Sequence, residues 1–291
     1  MTKGQICITI PIYKETLNDF EVQSVRQCIE VLSGYTIYFV CANSLNKTFY
    51  KEKFKEIKQY VSFDAKYFQD LKGYNELMLN YIYYSAFSNY KYMLLYQTDS
   101  YVFKDELLNW ANKGYDYIGG LLFEGFHGNP DEGAKLWCAG NGGFSLRNIS
   151  AIVKVLKSKK KLKNKKELEQ ESKRLVATKG IKRLKYFILF SLKRLGYKNS
   201  VGFYAKNFDN NEDVFLINLS LRFNLITMPI VEEALNFAWD RRPDYMYGKL
   251  GELPFGCHAW NREDMPYEGN KNFWTKFINK KNLSNANKTI I

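Results

Sequence analysis

The sequence predicts an α/β fold on a mixed, mainly parallel sheet flanked by helices, and three observations predict it. Short apolar runs recur at 6–12, 35–43 and 92–96. Stretches of helical spacing separate them, and a strand, helix, strand order with short connections requires parallel pairing through crossover helices. The run Tyr92-Met93-Leu94-Leu95-Tyr96 ends abruptly in Gln97, Thr98, Asp99 and Ser100, the pattern of a strand buried on both faces.

The elements follow in order. ICITIPI (6–12) reads as the first strand, with Pro11, Ile12, Tyr13 and Lys14 leaving it. A helix with apolar positions Val22, Val25, Cys28, Ile29 and Leu32 follows and is stopped by Gly34. YTIYFVCAN is the second strand, ending at Asn43; residues 50–60 read as helix and VSFDAKYF (61–68) as a third strand. The stretch 70–90 reads as one long helix whose first turn carries Lys72, Gly73 and Asn75. Its amino end is a seat for a diphosphate through exposed N–H groups, or a plain capped helix. After the strand at 92–96 come a helix from Lys104 to Lys113, a strand at 115–123, and a turn at His127-Gly128-Asn129-Pro130.

Composition limits the function classes. The chain has 291 residues, 46% hydrophobic, enough for a large core with an appended piece. No run of eighteen apolar residues and no apolar leader is present, so neither a spanning helix nor a cleaved signal is expected. Cys7, Cys28, Cys41, Cys138 and Cys257 lack CxxC spacing and read as reduced, buried thiols of a cytoplasmic protein. The net charge is +13, yet residues 154–198 hold 17 Lys or Arg against 3 acidic residues, leaving 26 basic and 27 acidic elsewhere. A nucleic-acid binder spreads its charge over the face that reads the duplex, so nucleic acid is not an expected partner. Within the basic segment Ile181, Leu184, Phe187, Ile188 and Leu192 share one helical face among lysines and arginines. Such a helix lies on an anionic membrane surface or packs on the body.

Four polar clusters carry the chemistry. Asp99, at the carboxyl end of a central strand, is placed for a bound metal or phosphate, and equally for opening a turn. In LWCAGNGGFSLR, Gly140, Asn141, Gly142 and Gly143 let the backbone approach a ligand closely. Trp137 and Phe144 beside them suit a sugar platform or the core. Glu212 and Asp213 head a helix in NFDNNEDVF, as caps or as catalytic carboxylates. His258 stands in FGCHAW. No GxGxxG or GxxxxGK[ST] occurs, which argues against a dinucleotide or P-loop site.

With YQTDSYVF, GNGGFSLR, NEDVF and FGCHAW in that order, the chain resembles the GT-A class of nucleotide-sugar glycosyltransferases. More narrowly, it resembles a bacterial family of polysaccharide-biosynthesis glycosyltransferases still labelled as a domain of unknown function, over roughly 5–150 and 200–265. The resemblance implies a GT-A-like sheet, with 1–150 as the nucleotide-sugar half, 151–200 as a basic helical insert, 201–270 as the acceptor half and 271–291 as a polar tail. It implies Mn2+ or Mg2+ at Asp99 and His258, with Gln97 where the class has the first Asp of Asp-x-Asp. An amide weakens metal affinity there and leaves metal independence open. It implies Asp213 as general base and Glu212 as acceptor ligand or loop orienter. Trp137, Asn141, Gly142 and Gly143 would hold sugars, and Pro11 to Lys14, Asn43, Lys72, Gly73, Asn75, Gln97 and Thr98 would hold the nucleotide. The donor implied is a UDP-hexose and the acceptor a saccharide or lipid-linked glycan of capsule-like polysaccharide synthesis, on the inner face of the cell membrane. A metal-dependent nucleotidyl- or phosphotransferase and a non-catalytic membrane-surface adaptor are the alternatives.

Overall fold

The computed structural model describes residues 1–125, 133–173, 181–261 and 272–278. The expected turn at 127–130 and most of the polar tail lie outside the described residues. Strands β1 (Ile6–Pro11), β2 (Thr36–Ala42), β3 (Gln59–Phe63), β4 (Tyr92–Tyr96), β5 (Tyr101–Val102), β6 (Tyr117–Phe123), β7 (Leu136–Asn148), β8 (Ala238–Trp239) and β9 (Gly256–Cys257) form one sheet in the order β3-β2-β1-β4-β7-β6-β8-β9-β5. β3, β2, β1 and β4 run parallel, while β7 pairs antiparallel with both β4 and β6. β8 continues the sheet parallel to β6 and β9. The sheet is mixed, mainly parallel and flanked by helices, the predicted architecture.

Alternation along the strands divides the core. Ile6, Ile8, Ile10, Leu94 and Tyr96 face one side, against Val25, Cys28 and Leu32 of the first helix and its end, and Leu107 and Trp110. Cys7, Met93 and Leu95 face the other, against Leu77, Tyr83, Ile152, Val155 and Leu216. A third cluster gathers Trp239, Trp260 and Trp274 around β8 and β9. All five cysteines are free and buried, as expected.

Several elements depart from the prediction for local reasons. The expected helix at 50–60 is only Thr48–Lys53, and that at 104–113 is Leu107–Asn112. The long helix at 70–90 is two, Leu71–Met78 and Tyr81–Ser85, because the Asn80 side chain accepts from Ile82 N and starts a new helix. The third strand runs Gln59–Phe63; beyond it Asp64 accepts from Lys66 N and turns the chain into a 3-10 segment. The glycine-rich cluster, for which the sequence suggests no element, lies within the strand Leu136–Asn148.

β1 is flanked by β2 on one side and β4 on the other, so the chain leaves β1 and β4 in opposite lateral directions. Between their carboxyl ends a crevice opens, the place where open α/β sheets bind ligands. The helix Asp19–Val31 begins beside it with a reciprocal cap, in which Asn18 accepts from Glu21 N and Glu21 accepts from Asn18 N. Asn18→Ala removes half of that box. It is expected to cost about 1 kcal/mol of stability, read by urea denaturation.

Candidate active site

The crevice is a cavity of about 370 Å3 lined by Pro11 at the end of β1 and Tyr13 beyond it, by Gln97, Thr98 and Asp99 after β4, and by Glu21, Tyr67, Phe68, Asp70 and Tyr74 among its other walls. Glu21 is nearly buried; its carboxylate accepts from Lys14 Nζ at 2.9 Å and from Thr98 Oγ1 at 3.3 Å. Three carboxylates, Glu21, Asp70 and Asp99, thus belong to the wall.

At the β4 side three donors converge. His258 Nε2 lies 2.9 Å from Gln97 Oε1 and 3.3 Å from Asp99 Oδ1. The Gln97 amide is oriented by its own Nε2, which donates to Tyr74 Oη at 2.8 Å. On the far side of the ring, Nδ1 meets Asp240 Oδ1 at 2.8 Å. Burial disfavours a charged ring at His258, but Asp99 and Asp240 outweigh it and raise the pKa to about 10. Asp99 keeps 23% of its side chain exposed while Asp240 keeps 4%, so Asp99 is the carboxylate a ligand can reach.

Gly142 and Gly143 make this convergence possible, and they correct the sequence reading. They were expected to admit a ligand; instead the protein's own side chains fill the space. A Cβ on Gly143 would lie 2.2 Å from the His258 ring, and one on Gly142 would lie 2.5 Å from Glu212 Oε1. Neighbouring residues of a strand point to opposite faces, so the pair receives the histidine on one face and the glutamate on the other. Gly143 O also accepts from Gln97 N and Ser100 Oγ, which ties β7 to the chain carrying Asp99. The Asn141 side chain is turned onto Gly143 N.

Glu212 is buried and paired with Arg147 at 2.8 Å. Arg147 has no solvent exposure; its guanidinium also donates to Tyr84 Oη, Ser145 Oγ and Gly142 O, and lies over the Tyr117 ring. Glu212 therefore orients rather than reaches a ligand. Asp213 accepts from Gly142 N at 3.2 Å and from Val214 N at 2.7 Å. Burial, and then the Glu212 charge, push its carboxyl up to about 7, against those two backbone hydrogen bonds.

Other expected site residues lie elsewhere. Ile12 packs into the core, Lys14 is folded onto Glu21, and Asn43 is exposed, its N–H given to Phe63. Lys72 is exposed and Gly73 is pressed against the Lys66 carbonyl, where a Cβ would come within 2.3 Å. Asn75 is buried and accepts from Glu212 N at the start of the helix Glu212–Leu221, outside the lining of the crevice. The amino end of the helix Leu71–Met78 is taken by Asp70, which accepts from Gly73 N at 2.7 Å; a carboxylate occupies the expected phosphate seat. Phe144 is core, packed on Tyr96, Phe237 and Phe255. Trp137 is part-exposed and lines a second hollow with Lys135, Leu221, Ile230 and Tyr245, one that Asp99 does not border.

Among the described residues no three His, Cys, Asp or Glu side chains are grouped to hold a metal. The third donor beside Asp99 and His258 is the Gln97 amide. Donors on adjacent corners of an octahedral Mg2+ or Mn2+ shell stand about 3 Å apart. The 2.9 and 3.3 Å separations match that spacing, and Asp240 on Nδ1 fixes the ring as a metal-bound histidine requires. With the His258 Nε2 proton displaced, the donor set fits a divalent cation with one protein carboxylate; with the ring charged, the same contacts are hydrogen bonds.

The family described as "Protein of unknown function (DUF5672)" matches residues 58–258, and the chain belongs to it. No curated protein matches the sequence. Among solved structures, the mannosyltransferase Ktr4p from S. cerevisiae is 13% identical, with a TM-score of 0.33 over 42% of this chain and 40% of that one. Core-mannan synthase A (CmsA/Ktr4) from Aspergillus fumigatus, in its Mn/GDP form, is 10% identical with a TM-score of 0.41 over 74% and 69%. A197 from STIV is 12% identical, with a TM-score of 0.30 over 52% and 68%. The chain spans less than half the length of the first of these.

Two outcomes follow from the geometry. Gly143→Ala drives a methyl into the His258 ring and is expected to cost about 1–3 kcal/mol, measured by urea denaturation. Asp213 holds its proton more tightly folded than unfolded, so its contribution is full below the ordinary aspartate range and is lost as pH rises through about 7. The difference in Tm between Asp213→Asn and the native chain should therefore move in the variant's favour from pH 4 to pH 8, followed by calorimetry.

Proposed function

We propose that the chain is an inverting glycosyltransferase that moves a hexose from a nucleotide sugar, UDP-linked, to a hydroxyl of a saccharide or lipid-linked glycan. The observation that carries this reading is the meeting of Gln97 Oε1, Asp99 Oδ1 and His258 Nε2 at the carboxyl end of β4, beside a cavity with aromatic and acidic walls. Tyr13, Tyr67, Phe68 and Tyr74 offer faces and edges to a base and ribose. Gln97, Asp99 and His258 would hold Mn2+ or Mg2+, which when bound neutralises charge on the leaving diphosphate. That cation also suits an acidic cavity to an anionic donor.

Asp213 is assigned the proton of the acceptor hydroxyl; it is as buried as Glu212 and lies outside the lining of the crevice, so the acceptor must open a path to it. Its raised pKa places it near neutrality, where a base both is ionised and holds a proton usefully. The acceptor oxygen attacks the anomeric carbon from the face opposite the diphosphate, which leaves with the bonding pair. Glu212, fixed by Arg147, sets the Asp213 turn, and Asp240 positions the His258 ring. Residues 1–150 and 201–270 form the donor and acceptor halves, with the basic insert between.

The test is a thermal-shift screen of UDP-, GDP- and CMP-sugars with and without Mn2+, followed by donor hydrolysis. A sugar nucleotide should raise Tm more with Mn2+ than without, and Asp213→Asn should lose about a hundredfold or more in turnover while keeping that shift. No response to any sugar nucleotide overturns the reading, and turnover of nucleoside triphosphates instead points to nucleotidyl transfer. Asp240→Asn should weaken the Mn2+ response about 10- to 100-fold in metal concentration, read by titration of the same shift.

A further inference from the structure

Over residues 187–195 the helix Ile181–Leu195 turns apolar side chains toward water. Phe187, Ile188, Leu192 and Leu195 are all exposed, Ile188 by 53% and Leu195 by 79%, while Leu189 and Phe190 on the other side are half-buried. Ile188, Leu192 and Leu195 follow at i, i+4 and i+7, a single stripe. Tyr197, past the helix end, is exposed as well. A surface helix ordinarily lays that stripe on the core, and clustered exposed apolar residues mark an interaction surface. The helix is anchored at its carboxyl end: Lys161 Nζ donates to Arg194 O, and the Asn199 side chain donates to Lys163 O and Lys193 O.

Charge selects the occupant. Lys193 and Arg194 belong to the same helix but lie more than about 100° around it from the stripe, Lys198 follows its end, and the segment 154–198 carries 17 basic and 3 acidic residues. A second copy would set this surplus against itself. Nucleic acid would answer the charge but offer nothing to Ile188, Leu192 or Leu195. A surface with negative headgroups over hydrocarbon answers both at once. Among the described residues no helix is long and apolar enough to cross a membrane. We propose that this helix seats the protein on an anionic lipid bilayer, with Ile188, Leu192 and Leu195 entering the interface and the basic residues of the segment drawn to the headgroups. The proposal is independent of the glycosyl-transfer reading.

The test is co-sedimentation of the full chain with vesicles of phosphatidylcholine alone, or of phosphatidylcholine with phosphatidylglycerol. Binding is expected to the second and not the first, and to weaken as salt rises. The double variant Ile188→Glu with Leu192→Glu should bind about tenfold less or weaker still, with Tm unchanged. Leu195→Ala, at the most exposed position, gives a milder loss without risk to the fold. A native chain that stays in the supernatant with anionic vesicles overturns the proposal. So does a double variant that binds as well as the native chain, since charge alone would then suffice. Concentration-dependent dimerisation abolished by the same variants, without vesicle binding, would assign the stripe to a second copy instead.

Discussion

A guanidinium sealed from solvent organises the centre of this molecule. Arg147 projects from β7 and is satisfied on every side: Glu212 from one helix, Tyr84 from another, Ser145 and the Gly142 carbonyl from its own strand. A buried ion pair adds little net stability, yet removing one partner leaves an unpaired charge that costs about 3–5 kcal/mol. Any other placement of the guanidinium would forfeit several of these bonds at once. The arrangement fixes Glu212 against Gly142, brings the next residue, Asp213, to the Gly142 N–H, and leaves the other face of the strand to His258. Any side chain at Gly142 or Gly143 would press on one of these groups.

Electrostatically the site is two acidic environments joined through one strand. On the cavity side, Asp99 and Asp240 hold the His258 ring between them, and Glu21 is satisfied by Lys14, Thr98 and its own helix cap. On the Glu212 side, a single buried arginine serves one of two adjacent carboxylates, and the other, Asp213, takes up a proton more readily than an ordinary aspartate. Desolvation with a like charge alongside pushes a carboxyl upward, whereas a shared cation would pull it down. Two carboxylates adjacent in sequence thus acquire different chemistry from their partners alone.

The parallel half of the sheet was legible because β1, β2 and β4 are buried on both faces and read as continuous apolar runs. Asp99 was legible for the same reason, as the first carboxylate after such a run. Asp240 gives the same signal in AWD but follows a strand of two residues, too short to stand out. The glycines of β7 were misread because composition cannot tell a gap left for a ligand from one filled by the protein. What fills it comes from Glu212 and His258, residues distant along the chain. Lys72, Gly73 and Asn75 failed likewise: a helix start is readable, but Asp70 facing back to cap it and Asn75 capping a second helix are tertiary facts. Arg147 lay within a quoted motif without a role, since an isolated arginine gives no sign that it is buried.

The antiparallel bridge between Lys161 and Ser200, reinforced by the Leu162 N–H to Asn199 carbonyl bond, sets residue 161 beside the far end of the insert. What lies between is an excursion that starts and finishes at one point on the body. Because closure entropy grows only with the logarithm of loop length, such an excursion can lengthen, shrink or be exchanged at small thermodynamic cost. The length of the arm is therefore set little by the sheet that carries it.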